Sequence, residues 1–356
     1  MNDFNIEILE RETKVILPEN LVFGKIYSDH MFEIDYDEDL GGWHNPTIRK
    51  FGNIELSPAA MVLHYGQTIF EGLKAYKQVD GRIALFRPEK NVERLNRSAK
   101  RMCIPEIDPD LVLQAMLELV RIDKDWIPTK PGHSLYIRPV MFASEPLLGV
   151  RTSENFKLII MLSPVGSYYP EGFKPLPILA TNKYVRAVRK GIGEAKTAGN
   201  YAASLMGQQE AKKEGYSQVL WLDGIEQKYI EEVGAMNIFV QFKNEVTTPM
   251  LTGSILSGIT RMSVLQILKD WKYNVTERMI SIDEVINAYK KGELIEIFGT
   301  GTAAVISSVS KLKFNENLLQ FNDKEAGELG TKLYNELSGI YYGTIEDRHS
   351  WMTYID

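Results

Sequence analysis

Apolar positions along this chain recur at two spacings, and the two alternate in short runs. "MFEIDYD" alternates apolar with polar residues, which predicts a half-buried strand. "PEKNVERLNRSAKRM" predicts a helix with Pro88 near its start. In "PDLVLQAMLELVRIDKDW", Leu111, Met116, Leu117 and Val120 keep helical spacing. The apolar runs "SLYIRPVMFAS" and "FKLIIMLSPVG" predict two buried strands. "GSYYPEGFKPLP" then interrupts the pattern with Gly, Pro and aromatic residues, as a linker would.

The mixture resumes beyond it. "NYAASLMGQQEAKKEG" predicts a helix closed by Gly215, and "YSQVLWLDG" and "NIFVQFKNEV" predict strands. "GITRMSVLQILKDW" predicts an amphipathic helix beginning just after a glycine. "SIDEVINAYKKGE" predicts another, with Ser281 as N-cap and Glu284 completing a capping box. No internal repeat or low-complexity segment is evident. The fold class expected is α/β with mixed α+β character. A domain over 1–165 and a domain over 178–356 are joined by a linker at 166–177.

Composition narrows the function classes. The 356 residues suit two domains, and the formal net charge of -6 comes with no long basic run. Nucleic acid and anionic membranes are therefore not expected partners. Cys103 is the one cysteine, which excludes an intrachain disulfide framework and fits a reducing, cytoplasmic setting. The five histidines lie far apart, none at metal-ligand spacing, so no metal is expected. The acidic N-terminus lacks the apolar core of a signal peptide, and no apolar run is long enough to span a bilayer.

"EIFGTGTAAV" contains G-x-G-x-x-A at Gly299, Gly301 and Ala304, the outline of a dinucleotide fingerprint. A dinucleotide fold needs a helix and further βαβ units after that loop. The next residues are "VISSVSKLKF", β-branched and short of remaining chain, so the NAD reading is weak. The loop still suits a single phosphate, with close-approaching backbone N–H groups and the Thr302 hydroxyl. "LTGSILSGITRMSV" makes a second such cup, placing Ile259 and Thr260 at a helix N-terminus. By pattern alone, Ser257 or Thr260 serves equally as an ordinary helix cap.

Lys196 in "GEAKTAGNYAASL" sits among small residues just ahead of a predicted helix, with Tyr201 five positions on. Such a lysine has room for a carbonyl cofactor, although a lone lysine there reads equally as a solvated one.

Eight segments in order extend that reading. "LVFGKIYSDHM", "LHYGQTIFEGLKAY", "NVERLNRSAKRM", "LYIRPVMFASEPLLGV", "KTAGNYAASL", "EEVGAMNIF", "ILSGITR" and "GTGTAAV" resemble the branched-chain-amino-acid aminotransferases of the class IV pyridoxal-phosphate family. The resemblance covers nearly the whole chain. It implies a two-domain fold-type IV architecture with the cofactor at the domain interface, and a homodimer. The expected reaction is reversible transfer of the amino group of leucine, isoleucine or valine to 2-oxoglutarate.

The resemblance also implies roles. Lys196 is the lysine that forms a Schiff base with pyridoxal 5'-phosphate and shuttles the substrate proton. Glu232 faces the pyridine nitrogen, and Tyr201 hydrogen-bonds the ring oxygen. Arg94 binds the phosphate together with Ile259, Thr260 and Thr302, and Arg186 is expected nearby. Without the family, Arg94 reads as one more solvated charge beside Arg97, Lys100 and Arg101. Alternation along the strand lets only one of Glu231 and Glu232 face inward, and the motif selects Glu232.

The resemblance likewise implies the substrate contacts that follow, with Phe23, Tyr65 and Tyr136 as the aromatic wall for the substrate side chain. Arg138, on the same strand face as Tyr136, meets the second carboxylate of glutamate. Ala303 and Ala304 lie beside the substrate α-carboxylate, with Ala303 offering a backbone N–H. Leu147, Leu148 and Val150, the apolar tip of the loop "SEPLLGV", are expected to be covered by a partner subunit, and the resemblance implies that Val150 reaches its pocket. Ala304 and Ser307 occupy positions where some relatives have cysteines, so a C-x-x-C redox centre is impossible here. Ala235 replaces a threonine common in relatives. The alternatives are a D-amino-acid aminotransferase or an aminodeoxychorismate lyase on the same fold.

Overall fold

The computed structural model describes residues 4–9, 15–168, 173–321 and 325–355. Their contacts define two units: Met1–Tyr168 with Ala195–Ala198 and Gly339–Asp356, and Tyr169–Glu194 with Gly199–Ser338. Residues 169–172 of the expected linker lie outside the described residues. The sequence reading carries the second domain to residue 356. The structure instead returns both 195–198 and 339–356 to the first unit. Ile69 bridges Thr197, and the C-terminal strand Met352–Ile355 pairs antiparallel with Ile83–Phe86. Local periodicity identifies a strand but not its distant partner.

In the first unit, β1 (Asn5–Ile6), β2 (His30–Asp37) and β3 (Gly42–Lys50) precede the short helix α1 (Met61–Tyr65). β4 (Thr68–Phe70), β5 (Leu73–Lys77) and β6 (Ile83–Phe86) lead into α2 (Pro88–Arg101) and α3 (Pro109–Ile122). β7 (Ser134–Ala143) and β8 (Asn155–Val165) come next. The strands form one sheet in the order β1-β3-β2-β8-β7-β5-β6 and then Met352–Ile355, with β4 paired to β7.

α2 and α3 start where their sequence directs. Pro88 and Pro109 occupy first-turn positions where no N–H is needed, and the Asp108 carboxylate accepts the Asp110 N–H at 3.0 Å. Leu135, Ile137 and Met141 of β7 share a core with Val92 and Leu95 of α2 and with Val112, Met116 and Leu119 of α3. Burying each such large side chain contributes about 1.5–3 kcal/mol. Because strand side chains alternate, Tyr136 and Arg138 fall on the other face of β7.

In the second unit, β9 (Leu176–Thr181), α4 (Ala198–Lys213), β10 (Gln218–Leu222), β11 (Ile230–Val233) and β12 (Met236–Phe242) come first. β13 (Val246–Pro249), α5 (Ile259–Asp270), β14 (Val275–Arg278) and α6 (Ile282–Lys290) are next along the chain. β15 (Leu294–Gly301), β16 (Val305–Phe314), β17 (Asn317–Gln320) and α7 (Glu328–Tyr342), which belongs to it as far as Ser338, complete it. The sheet order is β11-β10-β9-β16-β15-β12-β13-β14, with β17 on β16. β11 also pairs with β12, so part of the sheet closes on itself.

The core gathers Ile178, Leu220, Ile238, Val240, Ile297 and Leu312 with Ile282, Val285 and Ile286 of α6. The Ser281 hydroxyl caps α6, accepting the Glu284 N–H at 3.0 Å. The Glu284 carboxylate, expected to reach back to the cap, is engaged by Arg278.

The glycine loop resolves the first ambiguity of the sequence. Gly299 and Gly301 lie inside β15, Gly301 pairs with Val305, and β16 begins at once. A hairpin stands where a dinucleotide fold requires a helix, which sets the NAD reading aside.

Candidate active site

In the first unit, β4 brings together the lysine and the aromatic residues. Thr197 and Ile69 bridge, the Thr197 hydroxyl donates to the Thr68 carbonyl at 2.7 Å, and the Phe70 N–H donates to the Lys196 carbonyl at 2.9 Å. The Lys196 N–H donates to the Ser98 hydroxyl of α2 at 2.9 Å. Its Nζ then lies 4.8 Å from the Phe70 ring centroid. The Arg138 guanidinium is also 4.8 Å from that centroid, and its Nη2 donates to the Tyr136 hydroxyl at 2.9 Å. Arg138 Nε is buried without a hydrogen-bond partner among the described residues, as a docking point for an anion would be. Phe23 meets Tyr136 edge to face at 4.9 Å.

Gly72 makes room for this wall. A Cβ there would fall 2.0 Å from the Tyr136 hydroxyl, so no larger residue fits without displacing the ring.

Arg94 is not a solvated charge. It is 4% exposed, and its Nε and Nη2 donate to the two Glu71 oxygens at 2.7 and 2.9 Å. Tyr65 donates its hydroxyl to the Leu148 carbonyl. Val150 is 84% exposed and Leu148 also lies at the surface, whereas Leu147 packs against its own unit's core. The apolar tip expected to project is therefore Leu148 and Val150 without Leu147. Leu147 is held back where Pro146 bridges Ala60.

The second unit holds the other candidates. Glu231 and Glu232 are both buried, against the expectation that only one faces inward. The reason is that β11 lies between β10 and β12 and all four of its residues are buried, so both of its faces are covered. Glu232 pairs with Arg186 and accepts from Asn237 Nδ2 at 3.3 Å, while the same amide donates to the Leu256 carbonyl at 2.8 Å. Arg186 Nη2 also donates to the Ser254 carbonyl at 2.8 Å. Glu231 accepts the Ser254 hydroxyl, and burial pushes its carboxyl up to about 7.

Tyr201 lies in the first turn of α4. Ile259 and Thr260 open α5, whose N-cap Gly258 supplies no side-chain hydrogen bond. A Cβ at Gly258 would fall 1.9 Å from Asn237 Oδ1, so the backbone runs close to its neighbour here. Helix N–H groups without a side-chain cap fit an anion. Thr302, Ala303 and the buried Ala304 form the turn of the β15–β16 hairpin, and Val305 closes it at φ 64°, a left-handed conformation rare for a β-branched residue.

This geometry accords with the comparisons. The family "Amino-transferase class IV" matches residues 68–312. The chain belongs to the class IV aminotransferases. It is 57% identical over 336 residues to the Bacillus subtilis (strain 168) branched-chain-amino-acid aminotransferase 2, covering 94% of this chain and 92% of that one. It is 53% identical to a probable branched-chain-amino-acid aminotransferase of Staphylococcus aureus (strain N315), with 97% of each chain covered. The solved T.th. branched-chain amino acid aminotransferase with pyridoxamine 5'-phosphate superposes with a TM-score of 0.77 at 26% identity, covering 93% of this chain and all of that one.

For a class IV aminotransferase, the sequence reading missed several residues that the structure places beside the candidates, among them Phe70 under Lys196 and Arg138 and Ser98 on the Lys196 N–H. Glu71 pairs with Arg94, Asn237 holds Glu232, and Ser254 links Glu231 to Arg186. Glu71 left a trace, a lone carboxylate in the apolar run "TIFEGL". A buried charge of that kind requires a partner. Asn237 and Ser254 left none.

Proposed function

We propose that this protein transfers the amino group of leucine, isoleucine or valine to 2-oxoglutarate, with pyridoxal 5'-phosphate as cofactor, as a cytoplasmic homodimer. The observation that carries the reading is the placement of Lys196 and Arg138 on one aromatic ring, Phe70, beside Tyr136 and Phe23. An amine, a guanidinium and an apolar wall in one place suit a substrate set whose members are branched or carry a second carboxylate. Similarity to the Bacillus subtilis relative supports the substrate class.

The residues fit the cofactor's parts. In the first unit Arg94 offers a cation, and in the second Thr302 offers a hydroxyl and the α5 N-terminus at Ile259 and Thr260 uncapped N–H groups, each suited to a phosphate monoester. Tyr201 offers a phenol for the ring oxygen. Glu232 offers a carboxylate that favours a protonated pyridine nitrogen, with Arg186 and Asn237 orienting it.

When bound, pyridoxal phosphate supplies an aldehyde and an electron-withdrawing ring. Lys196 Nζ would hold the cofactor and would move a proton to and from the substrate Cα. Arg138 and the Tyr136 hydroxyl bind the distal carboxylate of glutamate. Phe23 and Tyr65, with Val150 of the partner subunit, enclose a branched side chain and exclude water, and Ala303 and Ala304 border the α-carboxylate.

The test combines a visible spectrum with borohydride reduction and peptide mapping. A yellow protein labelled on Lys196 that transaminates L-leucine with 2-oxoglutarate supports the reading. Label on Lys183 or Lys190 would overturn the lysine assignment. Activity on D-amino acids alone would point to a different class IV reaction.

A further inference from the structure

The structure assigns to Glu71 a role that none of the candidates above covers. We infer that Glu71 is a positioning residue, which sets the plane of the Arg94 guanidinium and thereby its hold on a phosphate group. The inference rests on the reading that Arg94 binds the phosphate of pyridoxal phosphate.

The two Glu71 oxygens take the Nε and Nη2 edge of Arg94 at 2.7 and 2.9 Å. A guanidinium is planar, so two parallel hydrogen bonds fix its plane and turn the Nη1 side away from Glu71. Glu71 is itself held. Oε2 accepts Asn91 Nδ2 at 2.7 Å and the Gly72 N–H at 3.1 Å, and the Glu71 N–H donates to the Pro139 carbonyl of β7 at 2.8 Å. The carboxylate is 1% exposed, so water does not compete for it. Burial alone would push its carboxyl up. The charge and hydrogen bonds of Arg94, with the charge of Lys196 and the amide of Asn91, hold it below the ordinary carboxylate range.

Sequence position gives this anchor its reach. Glu71 lies between Phe70, under Lys196 and Arg138, and Gly72, which makes room for Tyr136. Neighbouring side chains along an extended segment point to opposite faces. One tripeptide thus serves the substrate wall on one face and α2 on the other. On α2, Asn91, Arg94 and Ser98 recur at helical spacing, and Ser98 receives the Lys196 N–H. An Arg94 held rigidly by Glu71 loses little freedom when it meets a phosphate, whereas a mobile one would have to be ordered at that moment.

The test measures equilibrium binding of pyridoxal phosphate and of pyridoxal, which lacks the phosphate, to the full-length protein freed of cofactor. The wild type should prefer pyridoxal phosphate strongly. Glu71→Gln should weaken pyridoxal phosphate about tenfold or more, the range seen when a residue supporting a ligand-binding group is lost. Pyridoxal binding should change by less than about threefold. Glu71→Asp, which keeps the charge on a shorter stem, should recover part of the preference and tests the idea even if the amide variant does not fold. The double variant Glu71→Gln/Arg94→Gln should bind pyridoxal phosphate no more weakly than Arg94→Gln alone, because Glu71 acts through Arg94.

Equal weakening of both ligands by Glu71→Gln, or additive losses in the double variant, would overturn the inference. If Arg94→Gln abolishes the phosphate preference while both Glu71 variants retain it, the positioning role fails and the functional reading stands. No phosphate preference in the wild type, or none lost in Arg94→Gln, would overturn both.

Discussion

Lys196 and Phe70 hold each other at both ends. The Lys196 carbonyl accepts the Phe70 N–H at 2.9 Å, and Lys196 Nζ lies 4.8 Å from the Phe70 ring centroid. The backbone contact locks the segment, and the ring face gives the amine an apolar but electrostatically favourable seat. Phe70→Ala keeps the backbone contact and removes the seat. A cation over a ring is worth roughly 0.5–2 kcal/mol, so turnover should fall about tenfold while borohydride still labels Lys196. Unchanged turnover would mean that the ring does not orient the amine.

Glu232→Gln should lower turnover roughly a hundredfold, comparable to losing one preorganised polar group from an active site. Cofactor affinity should fall much less, since an amide still fills the space but no longer favours a protonated ring nitrogen. Glu231→Gln should leave turnover within a few fold, because burial already holds a large share of its carboxyl neutral near pH 7 and the Ser254 hydroxyl, not a ring, meets it. Steady-state kinetics with cofactor titration separates the two. The reverse ranking would exchange their roles.

Val150 is 84% exposed in the single chain, an unusual place for a valine beside a second exposed apolar residue, Leu148. If a partner subunit covers this tip, Val150→Asp sets a carboxylate against a branched substrate. An unpaired polar group in an apolar site costs about 1–3 kcal/mol, so KM for leucine should rise roughly five- to hundredfold, with a smaller change for glutamate. Mixing this variant with Lys196→Ala after unfolding should restore a low KM for leucine in the mixed dimer. No recovery, with mixed dimers demonstrated, would mean that the loop serves its own subunit.

Glu296 gives the second unit a pH-dependent stability. Burial raises its carboxyl to about 7, opposed by N–H donors at the start of α7, of which the Gly330 N–H lies 3.0 Å away. The folded state therefore binds more protons than the unfolded chain between pH ~4.5 and ~7. Stability falls as pH rises through that window, and the loss is complete above it. Glu296→Gln, neutral at every pH, should be more stable than wild type by roughly 1–3 kcal/mol at pH 8 and nearly equal at pH 5. Urea midpoints at the two pH values check this. An equal difference at both would show that Glu296 does not titrate there.

Much of the molecule was legible in the chain because its causes are local. β7, β8, α2, α3, α5 and α6 arise from hydrophobic spacing and from Pro88, Pro109 and Ser281 at helix starts. Lys196, Glu232 and the two small-residue turns stood out in the chain through their resemblance to the class IV family, because a lone lysine, a strand glutamate or a glycine turn carries no role by itself. Partnership was not legible, because it joins residues far apart in the chain. Only the tertiary structure returned Met352–Ile355 to β6, buried Glu231 as well as Glu232, and turned Arg94 from a basic helix face onto Glu71. Periodicity records which way a side chain points along its own element. Which charge meets it there depends on how the sheet is ordered, and the burial that makes such pairs strong exists only once the chain has folded.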